Sequence, residues 1–485
     1  MGDAMKSLQN IHSFIEQQMN VWKVPGLAVV VIKDQEVIMA EGFGYRDVEE
    51  GLRVTPETLF AIGSSTKAFT AMSAGILVDE GKLEWDTPVR TYLPNFKMHD
   101  AFATERITIR DMLCHRSGLP RHELMWYNSP LTREEMIERL QYLEPNQDFR
   151  STWQYQNIMY MAAGYFVGQR SNTSWEQVVQ DKIFNPLQMN SSNLSVETSQ
   201  LGADYALPYM DQGDQVQRIP FRNIDTIGPA GSINSNIKDM AKWVMLHLNK
   251  GVHQGQQIIS EENLATMHAP HMTCGSSGNK ERPVCCYGLG WGIEPYRGHH
   301  MIHHGGNIDG FSAEVSFLPY ENLGIVILSN AYNSPLPMLL TYNIMDRMLG
   351  LDEIDWSQRR FDEMKQWKAA ESTDDKDNDT ADQVTGEAKA STTHTLEDYV
   401  GLYEHPGYGP LSIDLIDGNL QVEFNSFQLP LSRVSNHKFE LDFKPFGVKT
   451  PASFHTDSNG RIVLVSIKLL LEPGAKDIEF IKTGK

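Results

Sequence analysis

Thr58-Leu59-Phe60-Ala61-Ile62-Gly63-Ser64-Ser65-Thr66-Lys67-Ala68-Phe69-Thr70-Ala71-Met72 puts a serine where an extended apolar segment gives way to a helix, with Lys67 one turn after Ser64. Residues three apart share a helix face, so hydroxyl and amine meet there. A serine hydroxyl is inert at neutral pH until a base takes its proton, and a lysine crowded by apolar neighbours is neutral enough to do so. The helix start adds partial positive charge for a developing oxyanion. The spacing alone is weak, since it recurs at Ser235/Lys238, Ser277/Lys280 and Ser435/Lys438, and an N-cap serine explains Ser64 as well. Context separates them. Ser277 lies in a Gly/Ser-rich loop, Ser435 in a polar turn, and Ser235 reads as the N-cap of the helix that follows it.

Two further elements carry chemistry. Tyr155-Gln156-Asn157 stands just before a helical run, where a phenol can relay protons and an amide can hold substrate or lysine; a buried core tyrosine is the plainer account of Tyr155. His304-Gly305-Gly306-Asn307 follows the strand His299 to His304, and its glycines allow close backbone approach, with the Asn307 amide a second oxyanion donor beside that of Ser64. An ordinary strand-ending turn has the same pattern, as do His253-Gln254-Gly255 and His405-Pro406-Gly407.

Around these elements the periodicity predicts a helix over residues 4 to 20, a hairpin from Gly26 to Gly44, a mostly helical block from about 105 to 250, and strands at Tyr287 to Ile293, His299 to His304, Phe311 to Leu318 and Gly324 to Ser329. A helix over Pro335 to Leu349 follows, so strands from both ends flank a helical middle. Residues 371–393 are acidic and nearly free of large apolar side chains, which reads as a linker. Beyond about 395, alternating runs such as Leu411 to Ile416 and Leu420 to Phe424 mark a small β domain.

The 485 residues suit two domains, and 41% hydrophobic residues suit a folded chain. A formal charge of −20 argues against nucleic acid or an anionic membrane as partner, because either needs basic surface. No segment is long and apolar enough to span a bilayer, and the first ten residues lack the apolar core of a secretory signal, so a cytoplasmic location is expected. Cys114, Cys274, Cys285 and Cys286 form no paired framework. They and the run His299, His300, His303, His304 lack metal-ligand spacing, so neither metal nor cofactor is expected.

Ser64/Lys67, Tyr155/Asn157 and His304/Gly306 occur in the order and at about the separations of the class C β-lactamase and penicillin-binding serine hydrolase family. The resemblance extends through Val24-Pro25-Gly26-Leu27-Ala28-Val29, Ile109 to Pro120, Pro229-Ala230-Gly231-Ser232, Tyr287-Gly288-Leu289-Gly290-Trp291 and Leu328-Ser329-Asn330, covering roughly residues 8 to 350. It implies an α+β fold with a central antiparallel sheet, a helical subdomain, and the site between them. It also implies Ser64 as acylated nucleophile, acid/base work shared by Lys67 and Tyr155, Asn157 orienting groups, and an oxyanion hole from the Ser64 and Asn307 amides, with His115 and Ser117 structural. The sequence departs from typical β-lactamases at His304, where they carry lysine; an imidazole, only partly charged near neutral pH, replaces a permanent cation. In that it resembles some D-alanyl-D-alanine carboxypeptidases, D-aminopeptidases and family VIII esterases. The tail resembles a lipocalin-like β-barrel. The expected organisation is a hydrolase domain (1–370), a linker (371–394) and a β domain (395–485). The expected activity is acyl-enzyme hydrolysis of amides or esters in small molecules or short peptides, and a homo-oligomer is compatible with it. A β-lactamase and an inactive scaffold are the alternatives.

Overall fold

A computed structural model describes residues 6–213, 215–276, 278–367, 394–443 and 448–484. Ser277 and the acidic stretch 371–393 lie outside the described residues. The first strand, Gly26–Lys33, is Gly-Leu-Ala-Val-Val-Val-Ile-Lys, buried along nearly its whole length. Side chains alternate across a strand, and here each face meets a different core. Ala28, Val30 and Ile32 join the cluster that holds Phe69, Trp243 and Val244. Leu27, Val29 and Val31 join Ile11, Ile15, Leu336 and Leu340 from the helices Ile11–Val21 and Leu336–Leu349. A strand apolar on both faces must be central. It pairs with Glu36–Asp47 on one side and Leu323–Ser329 on the other, from Leu27↔Ser329 to Lys33↔Leu323. The ends of the domain thus close one antiparallel sheet, in the order Met272–Gly275, Cys285–Tyr287, Gly292–Tyr296, His299–Ile308, Phe311–Leu318, Leu323–Ser329, Gly26–Lys33, Glu36–Asp47, Leu52–Arg53.

Four local expectations are corrected. The helix expected over residues 4 to 20 is interrupted: Lys6 and Ser7 are helical, Asn10 lies in the left-handed region (φ 62°), and the helix Ile11–Val21 follows. The single strand expected over Tyr287 to Ile293 is two strands joined at Gly288 to Trp291; Gly290 has φ +79° and packs on the Lys67–Ala68 backbone, which turns the chain back. Ser235 is not an N-cap: Asn236 caps the helix Ile237–Leu248, accepting from the Asp239 amide. Finally, the strand from His299 continues to Ile308, so Gly305-Gly306 is not its end. It runs past the segment leading to Ser64 so closely that a Cβ on Gly306 would fall inside the van der Waals shell of the Ile62 carbonyl oxygen, and one on Gly63 (φ +51°) would lie 2.8 Å from the Asn307 nitrogen.

The C-terminal region is a closed eight-stranded antiparallel barrel, running from Gly401–His405 to Ile478–Gly484. Its inward positions, among them Leu420, Val422, Phe424, Phe439, Phe454 and Phe480, are buried, so side chains fill the interior. It docks on the helical subdomain through Tyr408 with His122 (2.7 Å), Asn128 with the Asn425 carbonyl (2.7 Å), Lys476 with Glu144 (2.6 Å), and Phe427 stacked on Tyr127.

Gly306→Ala should therefore lower stability by about 3 kcal/mol or more, since backbone rather than a flexible side chain blocks the methyl. Chemical denaturation of the purified variant measures this, and a wild-type midpoint would contradict the close approach.

Candidate active site

Phe60–Ala61 is extended, Gly63–Ser65 forms a single 3₁₀ turn, and the helix Thr66–Asp79 begins at once. Ser64 is left partly open to solvent while Lys67 is fully buried. The Lys67 Nζ lies 3.0 Å from Ser64 Oγ and donates to the Ala230 carbonyl at 2.8 Å. It also stands over the rings of Tyr155 (4.6 Å) and Tyr160 (5.4 Å). The Ala230 segment is tied to the same helix, since Thr70 donates to the Pro229 carbonyl and Thr66 accepts from the Ile233 amide. Burial, with the Arg121 charge added, holds the Lys67 ammonium well below its ordinary proton affinity.

Tyr155 is placed by a turn and a ring. The Gln154 amide donates to the His115 carbonyl (2.9 Å) and the Gln156 amide to His115 Nδ1 (3.0 Å). The His115 ring packs 4.4 Å from that of Tyr155, and its backbone is left-handed (φ 59°). Burial raises the Tyr155 phenol and a hydrogen bond with Ser64 opposes this, so a neutral hydroxyl stands beside Ser64. His115, read from the sequence as structural, is the support of this loop. Asn157 opens the helix Asn157–Arg170 and donates to Glu123 Oε1 (3.2 Å).

His304 is brought to the same place, with both ring nitrogens engaged. Nδ1 donates to the Gly305 carbonyl at 2.6 Å, leaving Nε2 to accept from the Tyr287 hydroxyl at 2.8 Å. Burial, then the Lys67 charge, pushes it down to about 3. The partial charge expected from the sequence is absent, because an enclosed imidazole beside an amine does not take a proton near neutral pH. The His304 carbonyl accepts from Ser65 Oγ (3.0 Å), which ties the strand to the Gly63–Ser65 turn. Gly306 lies against Ile62, and Asn307 turns its side-chain oxygen to Ser312 (2.8 Å) while its backbone nitrogen passes Gly63.

Sequence reasoning missed the segment after Pro120. Arg121 lies over the Tyr155 ring (5.2 Å) and donates to Glu123 (2.8 Å), and Tyr127 donates to Asp309 (2.6 Å), which also accepts from Arg222 (3.0 Å). Apart from Glu123, which opens the single helical turn Glu123–Trp126, these residues occupy irregular backbone, and none has a periodicity to reveal it. Among the described residues no group of three His, Cys, Asp or Glu side chains could hold a metal, and no helix is long and apolar enough to cross a membrane. The four cysteines are free thiols.

Ser64 at a helix start, with the buried Lys67 amine and the Tyr155 phenol against it, brings together the parts that activation of a hydroxyl requires. Residues 11–347 match the beta-lactamase family model, and the chain belongs to that family. Residues 385–482 match a domain of unknown function, DUF3471. The chain is 29% identical to a protein named unguisins hydrolase from Aspergillus campestris, over 97% of this chain and 90% of that protein. It is 28% identical to the protein Flp of Staphylococcus aureus, over 69% of this chain and 66% of that one. An octameric penicillin-binding protein homologue from Pyrococcus abyssi has the same fold, with TM-score 0.63 and 24% identity over 98% of this chain and all of that one.

Burial of neutral imidazoles fixes how stability depends on pH. His122, His268 and His304 are pushed down to about 3 by burial, and His115 and His247 fall well below 6.5 for the same cause. The unfolded chain binds protons at these positions below about pH 6.5 and the folded chain does not, so stability rises with pH across the window from about 3 to about 6.5. Although burial pulls His303 down, hydrogen bonds to Glu294 and Glu314 push it up to about 10, and its contribution is complete below 6.5 and fades toward 10. Unfolding at about pH 5 should therefore take up about three protons or more, as the slope of the denaturation free energy against pH will show.

Proposed function

We propose that the protein is a serine hydrolase that cleaves amide or ester bonds in small substrates, including short peptides, through an acyl-enzyme on Ser64. The observation that carries this is the buried, proton-poor Lys67 amine 3.0 Å from a solvent-reached Ser64 hydroxyl. Ser64 passes its proton to Lys67 as Oγ bonds to the substrate carbonyl carbon. The negative oxygen is met by the backbone amides of Ser64 and Asn307. As the bond to the leaving amine or alcohol breaks, Tyr155 donates the proton and recovers one from Lys67. A water then attacks the acyl carbon, with the same groups acting in reverse, and releases the acid and Ser64. Asn157 orients the substrate from the rim, and Gly306 lets Asn307 approach the nucleophile turn.

A peptide or ester is favoured over a β-lactam because position 304 carries a neutral imidazole rather than a cation able to hold the β-lactam carboxylate. The hydrolase name of the 29% identical relative also supports hydrolysis. Intact motifs with paired geometry speak against the inactive scaffold.

A fluorophosphonate probe should label the wild type stoichiometrically at Ser64, as read by intact-mass and peptide mass spectrometry, and neither Ser64→Ala nor Lys67→Ala should be labelled. Labelling that survives in Ser64→Ala refutes the assignment. Among short esters, D- and L-aminoacyl nitroanilides and nitrocefin, turnover should be greatest on an ester or anilide; nitrocefin turned over as fast as the best of them would establish the β-lactamase reading instead.

A further inference from the structure

The segment from Arg121 to Asn128 is held from two sides. On the inner side Arg121 lies over Tyr155, Glu123 accepts from Asn157, and Tyr127 bonds Asp309. On the outer side each fixing bond comes from the barrel. The Arg121 amide donates to Glu472 (2.8 Å), and the Tyr408 hydroxyl meets His122 Nδ1 (2.7 Å). The Asn425 side chain donates to the Leu124 and Tyr127 carbonyls, and the Asn425 carbonyl accepts from Asn128. His122 is buried and left-handed (φ 47°), a conformation a non-glycine residue keeps only where its surroundings compensate. Here the barrel supplies the compensation.

We propose that Arg121 is a positioning residue whose fixed charge bears on the Ser64–Lys67 pair across the Tyr155 ring, and that the C-terminal barrel holds it in place there. This rests on the Ser64–Lys67 reading above. The Lys67 amine and the Arg121 guanidinium lie near one aromatic ring, 4.6 Å and 5.2 Å from its centroid. The groups facing Lys67 and Tyr155 are His115 from the turn after Leu113, Tyr160 from the helix Asn157–Arg170, Tyr287 and His304 from the sheet, and Arg121 and Glu123 from the clamped segment. The imidazoles are proton-free and the phenols proton-bound near neutral pH, since burial lowers the former and raises the latter. The charges bearing on Lys67 are thus Arg121, which disfavours its protonation, and Glu123, which opposes Arg121 with the smaller effect. Arg121 stays charged because Glu123 accepts its Nε–H and Glu472 lies close by.

The test is the second-order rate of Ser64 labelling by a neutral fluorophosphonate, measured from about pH 5 to about pH 10 on the full chain. Without the guanidinium, Lys67 holds its proton to higher pH. In Arg121→Gln the acidic limb should therefore move up by about half a pH unit, with labelling about threefold slower on that limb and unchanged at the plateau. Arg121→Lys keeps the charge and should restore the wild-type limb. Tyr408→Phe releases His122 and should shift the limb in the direction of Arg121→Gln. A Gln profile that superimposes on the wild type, or a Lys profile displaced as far as Gln, overturns the role of Arg121; an unmoved Tyr408→Phe profile overturns that of the barrel. Failure of the underlying reading is distinct, since the wild type would then not be labelled at Ser64 at any pH.

Discussion

A lysine amine excluded from water within hydrogen-bonding reach of a serine that water can touch is the constraint around which the first domain is built. An isolated ammonium costs too much to bury, so the amine gives up its proton and is held by one carbonyl, Ala230, and by the faces of two tyrosines. Each support comes from a different part of the chain. The Ala230 carbonyl is tied to the helix Thr66–Asp79 through Thr66 and Thr70, Tyr155 is hung on His115, and Tyr160 belongs to the helix Asn157–Arg170. Lys67 is thus a packing residue as well as the amine set against Ser64, and its burial joins the helical subdomain to the sheet.

The second constraint is distance between backbones. Strand His299–Ile308 and the segment Ile62–Gly63 come closer than any Cβ permits, and Ser65 locks them by donating to the His304 carbonyl. This accounts for glycine at 63 and 306 without any ligand, and it brings the Asn307 backbone beside the Gly63–Ser65 turn. Histidine at 304 fits the same enclosure. A lysine there would place a second ammonium near Lys67 in a poorly hydrated space, whereas a neutral imidazole satisfies both of its nitrogens with Gly305 and Tyr287.

Much of this was legible in the sequence for physical reasons. Gly26–Lys33 is apolar at every position but its last, and only a central strand between two cores uses such a run. The Ser64–Lys67 spacing is a helical one, and the alternation beyond 395 is that of barrel strands. What stayed hidden lies where local rules are silent. The continuation of the strand through Gly305-Gly306 depends on its neighbour Phe311–Leu318, which pairs Gly306 with Ala313. The loss of charge on His304 depends on burial, which no single-residue preference carries. Arg121 sits in irregular backbone and Glu123 opens a helix of a single turn, too short for a period to show.

The barrel raises a question of cooperativity that its own packing answers. Tyr399, Phe439 and Phe454 pack on one another at 4.8–5.1 Å between ring centroids, and the barrel's buried side chains run on into the apolar cluster of the first domain. The Arg121–Asn128 segment lies where the two meet, and its helical piece Glu123–Trp126 is a single turn, too short to stand alone. Its carbonyls at Leu124 and Tyr127 and its amide at Arg121 are satisfied by Asn425 and Glu472, groups that in the barrel's absence only water could replace. A segment that touches the Tyr155 ring and the Asn157 amide on one side therefore takes its order from a second domain on the other, and the site's precision is a property of both domains together.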